Sequence, residues 1–143
     1  MPDLFVKLLQ VHQEVYERTG GLIGHRILFG IPTLLLRTVG RKSGEPRTSA
    51  LTYGTDGDDY LVTASNGGSS RPPAWLFNVE AKPNCEVQVG RNRHPVVTRT
   101  VLPDDPDYAR LWDIVNKVNR NQYREYQKKT KRPIAVVVLT PTD

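Results

Sequence analysis

The sequence predicts one mainly β domain, residues 1–143, with flanking helices and about six antiparallel strands that close into a small barrel or a strongly curled sheet. Three observations predict it. Short segments alternate apolar and polar residues or are wholly apolar, as half-buried and fully buried strands do. They are joined mainly by tight turn sequences, such as Asp56-Gly57 and Gly90-Arg91-Asn92-Arg93, which suit antiparallel neighbours. No βαβα alternation is present to imply a doubly wound sheet. Closure follows because short strands with one apolar face must hide their edges.

The first element is an amphipathic helix over residues 3–18. Leu4, Leu8, Val11 and Val15 recur at helical spacing, with Asp3 to cap it and Gly20-Gly21 to end it. Packed on the domain, it is an ordinary core helix; on a membrane surface it would need more than Lys7 and Arg18 for charge. Residues 22–31 are broken by Gly24 and Gly30 and take no clear form.

Thr33–Val39 is a strand apolar enough to be buried on both faces, and Arg47–Tyr53 alternates as the next. A turn over Gly54–Asp59 leads to a return strand, Asp59–Ser65. Arg71-Pro72-Pro73 opens a helix over Ala74–Ala81, since proline favours the first turn, and Pro83 stops it. Asn84–Val89 and Pro95–Leu102 form a hairpin. Asp104 or Asp105 caps a helix bearing Leu111, Trp112, Val115 and Val118. An asparagine-rich break, a short segment with Tyr123 and Tyr126, and an apolar strand Ile134–Leu139 complete the chain.

Composition narrows the chemistry. The single cysteine, Cys85, excludes an intramolecular disulfide and a thiolate zinc cluster, and its alternating neighbours make it a strand residue rather than a nucleophile. His12, His25 and His94 lie in different elements, so no metal site is expected. Phosphate-loop, dinucleotide-binding and serine-elbow patterns are missing. The net charge of +5 suits an anionic ligand, nucleic acid or an acidic surface without choosing among them. With no apolar run of membrane-spanning length and no signal-peptide pattern, the expected location is the cytoplasm, with weak association to the inner membrane face as a variant.

Two loops remain as candidates. Val39–Ala50 (VGRKSGEPRTSA) gathers Arg41, Lys42, Arg47, Ser43 and Thr48 around Gly40 and Gly44. Such a turn can offer N–H groups and positive charge to a phosphate, and is equally consistent with a solvated hairpin tip. Ala64–Gly68 is polar and glycine-rich, and precedes the helix start at Ala74-Trp75. If Arg47–Ser65 is a hairpin with its tip at Asp56-Gly57, both loops lie at one end of the sheet. A phosphate-bearing planar cofactor would fit between them.

The ordered set of Leu34–Arg47 (LLLRTVGRKSGEPR), Ala64-Ser65-Asn66-Gly67-Gly68, Pro73–Asn78, Ala81–Asn84 and Tyr126–Val138 resembles the deazaflavin-dependent nitroreductase family of actinobacteria. The resemblance covers roughly residues 31–140. It implies an FMN-binding-like split β-barrel and coenzyme F420, an 8-hydroxy-5-deazaflavin. It implies that Arg41, Lys42, Ser43 and Arg47 hold the phosphate and acidic tail, and that Thr63, Ala64, Ser65 and Asn66 lie along the ring. Ala74, Trp75, Leu76, Phe77 and Asn78 complete the cleft. Tyr123 and Tyr126 line the substrate side, and with Ser65 are the implied catalytic residues. Two positions depart from the pattern: Arg120 replaces a tyrosine, and Asn66 stands where some relatives carry lysine.

The implied reaction is hydride transfer from reduced F420 to a small electron-poor acceptor: a quinone, an enone or a nitroaromatic. FMN on the same barrel is the alternative cofactor, since a phosphate loop alone does not separate the two. A nucleic-acid-binding role would rest on charge alone, without a reading helix or stacking aromatics on a strand. Oligomeric state is not legible.

Overall fold

The computed structural model describes residues 32–143. The helix expected over residues 3–18 lies outside the described residues. Within them the strands are β1 (Thr33–Val39), β2 (Pro46–Thr52), β3 (Gly54–Asp56), β4 (Asp59–Thr63), β5 (Asn84–Val89), β6 (Asn92–Val101) and β7 (Val136–Pro141). Three helices accompany them: α1 (Ala74–Ala81), α2 (Tyr108–Val118) and α3 (Gln122–Lys128). The strands form one antiparallel sheet in the order β2-β1-β5-β6-β7-β4-β3.

The order of the strands dictates the shape. β2 and β3 are the two edges of the sheet, yet only Tyr53 separates them in the chain. Two residue steps of chain span at most about 7 Å. The edges must therefore meet at Tyr53, and the sheet must curl into a split barrel. Tyr53 is buried at this corner and donates its N–H to Pro32 O at 3.2 Å.

Several expectations are corrected here. Seven strands are present rather than about six, because Gly54–Asp56, read as a turn, is a strand. Arg47–Ser65 is not a two-stranded hairpin: β2 pairs with β1, and β3 with β4. Local turn chemistry at Asp56-Gly57 is right, but the ladder breaks at Tyr53, and β2 finds its partner behind it in the chain. The return strand ends at Thr63, and the last strand runs two residues later than expected at both ends. The tyrosine segment is helical, as α3, entered through Arg120 and Asn121, both at positive φ.

β4, β6 and β7 each serve two cores, as period-two side-chain alternation allows. Leu34, Leu36, Val62, Ala64, Val87, Val137 and Leu139 fill the barrel together with Trp75, Leu76 and Val79 of α1. Leu61, Val101, Val136 and Val138 face outward and are covered by Leu111, Val115 and Tyr123. The leucine run Leu34–Leu36 is buried on both faces, as expected. Each such leucine contributes about 1.5–3 kcal/mol of burial free energy.

Strand register places the loops. β1 is antiparallel to β5 and β5 to β6, so β1 and β6 end on the same side, and there Val101 pairs with Val136, as does Thr63. The turn after β1, the loop after β4 and the segment before β7 therefore share one end of the barrel. The Asp56–Asp59 turn, Gly90 and Pro141 lie at the other.

Candidate functional site

The cationic loop is a closed turn. Gly40 N–H donates to Glu45 O at 2.8 Å, and Gly44 N–H to Gly40 O at 2.9 Å. The Ser43 hydroxyl accepts the Glu45 N–H at 3.2 Å. A Cβ on Gly40 would lie 2.6 Å from Ser43 Oγ, so a side chain there would displace the hydroxyl.

The turn is also fastened to α1. Asn78, buried on that helix, accepts the Arg41 backbone N–H on Oδ1 at 3.0 Å. Its Nδ2 donates to Thr38 Oγ1 at 3.3 Å. The Arg41 guanidinium lies over the Phe77 ring, 4.6 Å from the centroid, a geometry that favours the cation electrostatically.

Between turn and helix is a cavity of about 320 Å³. Arg41, Lys42, Ser43 and Arg47 line it from the loop, Thr48 and Ser49 from β2, and Ala74, Trp75 and Asn78 from α1. Pro73 occupies the cap position of α1 and no side chain caps it, so first-turn N–H groups remain for a ligand. Among the described residues Arg47 has only a long ionic contact, to Glu45 at 4.0 Å. Neither Arg41 nor Lys42 pairs with a carboxylate among the described residues. Uncompensated cations at a helix N-terminus fit a phosphate or carboxylate.

A second cavity, about 580 Å³, lies at the opposite end of the barrel. Asp58, Asp59, Asp143 and His94 line it. Its carboxylates would repel an anionic ligand, so size does not make it the site.

The polar loop after β4 is built differently. Asn66, Gly67 and Gly68 have φ of 45°, 64° and 83°. At Gly68 a Cβ would meet Tyr126 O at 2.8 Å, so glycine lets the loop touch α3. Arg132 closes the back of the loop. Its Nη1 donates to Ala64 O at 3.1 Å, Nη2 to Ser65 O at 2.8 Å, and Nε to Ser69 O at 2.9 Å. Partial burial pulls the Arg132 guanidinium below its ordinary value. Gln127 fixes the same segment, donating to Arg132 O at 2.8 Å and accepting from Ile134 N–H at 2.9 Å.

The structure thus brings Arg41, Lys42, Ser43, Arg47, Ala74, Trp75 and Asn78 around one cavity. Ala64 joins Trp75 and Leu76 in the barrel core, while Phe77 lies outside beneath Arg41. Ser65 is buried at the foot of its loop, and Asn66 is exposed, its amide donating to Arg71 O at 3.0 Å. Tyr123 belongs to the outer core. Burial pushes its phenol up to about 12, against the hydroxyls of Thr63 and Thr52, which lower it. Tyr126 is half-buried, 6.3 Å from the Tyr123 ring. Cys85 is partly buried and its thiol is pushed up to about 11, so it is protonated at neutral pH.

Arg132, Gln127 and Thr38 were not singled out in the sequence. Their partners lie 63–68, 5–7 and 40 residues away in the chain. No local pattern marks the contacts of Arg132 and Thr38; only the inclusion of Gln127 and Arg132 in the Tyr126–Val138 motif pointed toward that region.

Among the described residues no helix is long and apolar enough to cross a membrane. Comparison with known proteins gives concordant matches. A chain of Mycobacterium tuberculosis named F420H(2)-dependent quinone reductase is 53% identical over 135 residues, covering 94% of this chain and 91% of that one. A solved structure of an F420-H2 dependent reductase is 33% identical with a TM-score of 0.68, covering 76% of this chain and 93% of its own. A further solved structure, described only as a domain-swapped dimer, is 30% identical with a TM-score of 0.70, covering 97% of this chain and 99% of its own. A family profile matches residues 8–141, and with the cation-lined cleft on a split barrel it places this chain in the F420H(2)-dependent quinone reductase family.

Proposed function

We propose that the protein is an F420-dependent reductase that passes a hydride from reduced deazaflavin to a quinone. The observation that carries this reading is the carboxylate-poor cleft between the cationic turn and the uncapped start of α1. Its donor set fits the anionic tail of F420: guanidinium forks, an ammonium, a hydroxyl and helix N–H groups.

In this reading Arg41, Lys42, Ser43 and Arg47 bind the phosphate and carboxylates. Asn78 and Phe77 hold Arg41 so that its charge faces the cleft with little ordering left to do on binding. Trp75 and Leu76 form the apolar wall, and Thr63, Ala64, Ser65 and Asn66 border the ring. When bound, reduced F420 supplies the hydride. The protein orients the acceptor and excludes water around it.

Ser65 and Tyr126 sit at the loop and helix that border the acceptor, and either hydroxyl can donate to its carbonyl oxygen. Tyr123 acts through them: packed in the outer core with Leu61 of β4, it sets the position of α3 against that strand. Enones and nitroaromatics are further acceptors of the same electron-poor class. The test is fluorescence titration with F420, followed by reduction of menadione with F420H2. Micromolar binding and turnover are expected; no binding at micromolar cofactor overturns the reading.

A further inference from the structure

We propose that Arg132 is a positioning residue that aims the backbone N–H groups of Ser65 and Asn66 at a carbonyl oxygen of the bound deazaflavin–quinone pair. The inference rests on the function proposed above and follows from peptide geometry. Arg132 donates to the carbonyl oxygens of Ala64, Ser65 and Ser69. No peptide bond among the described residues is cis. In a trans peptide the C=O of one residue and the N–H of the next point in opposite directions. Binding the Ala64 and Ser65 carbonyls to Arg132 therefore turns the Ser65 and Asn66 N–H groups away from it. Neither N–H has an acceptor among the described residues.

The backbone agrees with that role. Ser65 is in the right-handed region at φ −82°, ψ −35°, and Asn66 in the left-handed region at φ 45°. Successive residues of opposite hand converge their N–H groups into an anion-binding concavity. Asn66 keeps this unfavourable φ because its side chain donates to Arg71 O and because Arg132 holds the preceding Ser65 carbonyl and, three residues on, that of Ser69.

Charge strengthens the effect. Among the described residues no carboxylate pairs with Arg132. Its positive charge lies behind two peptide dipoles whose positive ends face outward. Reduction of a quinone gathers negative charge on the acceptor oxygen, and preorganised donors stabilise it without reorganising. Arg132 need not touch the substrate; it keeps two neutral donors in place and adds its charge at one remove.

The test compares Arg132→Gln and Arg132→Lys with the parent, reading F420 affinity by fluorescence, kcat and KM for menadione, and thermal melting. Arg132→Gln is expected to lower kcat/KM roughly tenfold to hundredfold. Lysine, which keeps the charge but cannot fork three carbonyls, recovers part of it. If the oxygen is the acceptor's, the loss falls in menadione turnover while F420 affinity stays within about threefold. If it is the ring's, F420 affinity falls by the same factor as turnover. Turnover and affinity within about twofold of the parent in both variants overturn the proposal.

Amide NMR of the parent with F420, then with F420 and a non-reducible quinone analogue, keeps the question open to refutation if the variants do not fold. Downfield shifts at Ser65 and Asn66 are expected. Unmoved resonances there, with Arg47 shifted, overturn the role of Arg132 while leaving cofactor binding intact. A parent that binds no F420 instead overturns the function proposed above.

Discussion

Asn78 holds Arg41 by its main chain. The Asn78 Oδ1 accepts the Arg41 N–H at 3.0 Å, which leaves the guanidinium to lie over Phe77 at the mouth of the cleft. A helix side chain thus fixes a loop cation without spending that cation's donors. The same amide reaches Thr38 at the end of β1, so strand, turn and helix meet on one residue.

Asn78→Ala removes both bonds and leaves the Thr38 hydroxyl and Arg41 N–H without their partner. The expected cost is about 1–3 kcal/mol of stability. F420 affinity should fall as well, since the turn is no longer preordered. Urea unfolding and fluorescence titration on one preparation separate the two effects; unchanged affinity would show that α1 does not preorganise the turn.

Arg47→Ala tests the anion site with less structural disturbance. Arg47 is exposed and, among the described residues, its one ion pair, to Glu45, is long at 4.0 Å. Stability should change by less than about 0.5 kcal/mol. Loss of a charge-assisted contact to phosphate should weaken F420 binding by about 10- to 100-fold, and the deficit should shrink at high salt.

Gly68→Ala probes the approach of the polar loop to α3. The substitution places a methyl 2.8 Å from Tyr126 O at a φ of 83°, so loop and helix must separate. A loss of about 1–3 kcal/mol is expected. Menadione turnover should fall more than F420 affinity, because Gly68 does not line the cavity at the tail-binding turn. Melting temperature and single-turnover rates report each part.

Tyr123→Phe makes a prediction at alkaline pH. The ordinary phenol value is 10, and burial raises that of Tyr123 to about 12. Below pH 10 both folded and unfolded chains hold the proton, so stability is insensitive to this group. Above pH 10 the unfolded chain loses the proton first, and stability falls until about pH 12. The full effect is about 2–3 kcal/mol. Melts between pH 8 and 11.5 should show a shallower alkaline decline in the phenylalanine variant. The pH–rate profile below pH 10 should carry no inflection from Tyr123.

Much of the fold was legible because it is written locally. The apolar run of β1, the proline-led start of α1 and the alternation of β5 appear at their expected bounds. Both candidate loops were legible too, since glycines, cations and hydroxyls cluster within a few residues. Pairing was not. The break at Tyr53, which sends β2 to one edge of the sheet and β3 to the other, depends on which edges are free once β1 has formed.

The sequence by itself determined the chemistry on offer: a cationic turn, a glycine-rich turn and a tyrosine segment, set on short strands and helices. The tertiary structure decided how they are used. It placed Arg41, Lys42 and Arg47 against the start of α1, put Tyr123 in the outer core, and brought Arg132 behind Ser65 across 67 residues of chain. The reason is physical. Turn and helix signals arise from backbone preferences over a few residues, whereas orientation of a loop depends on hydrogen bonds whose partners become neighbours only after the barrel has curled.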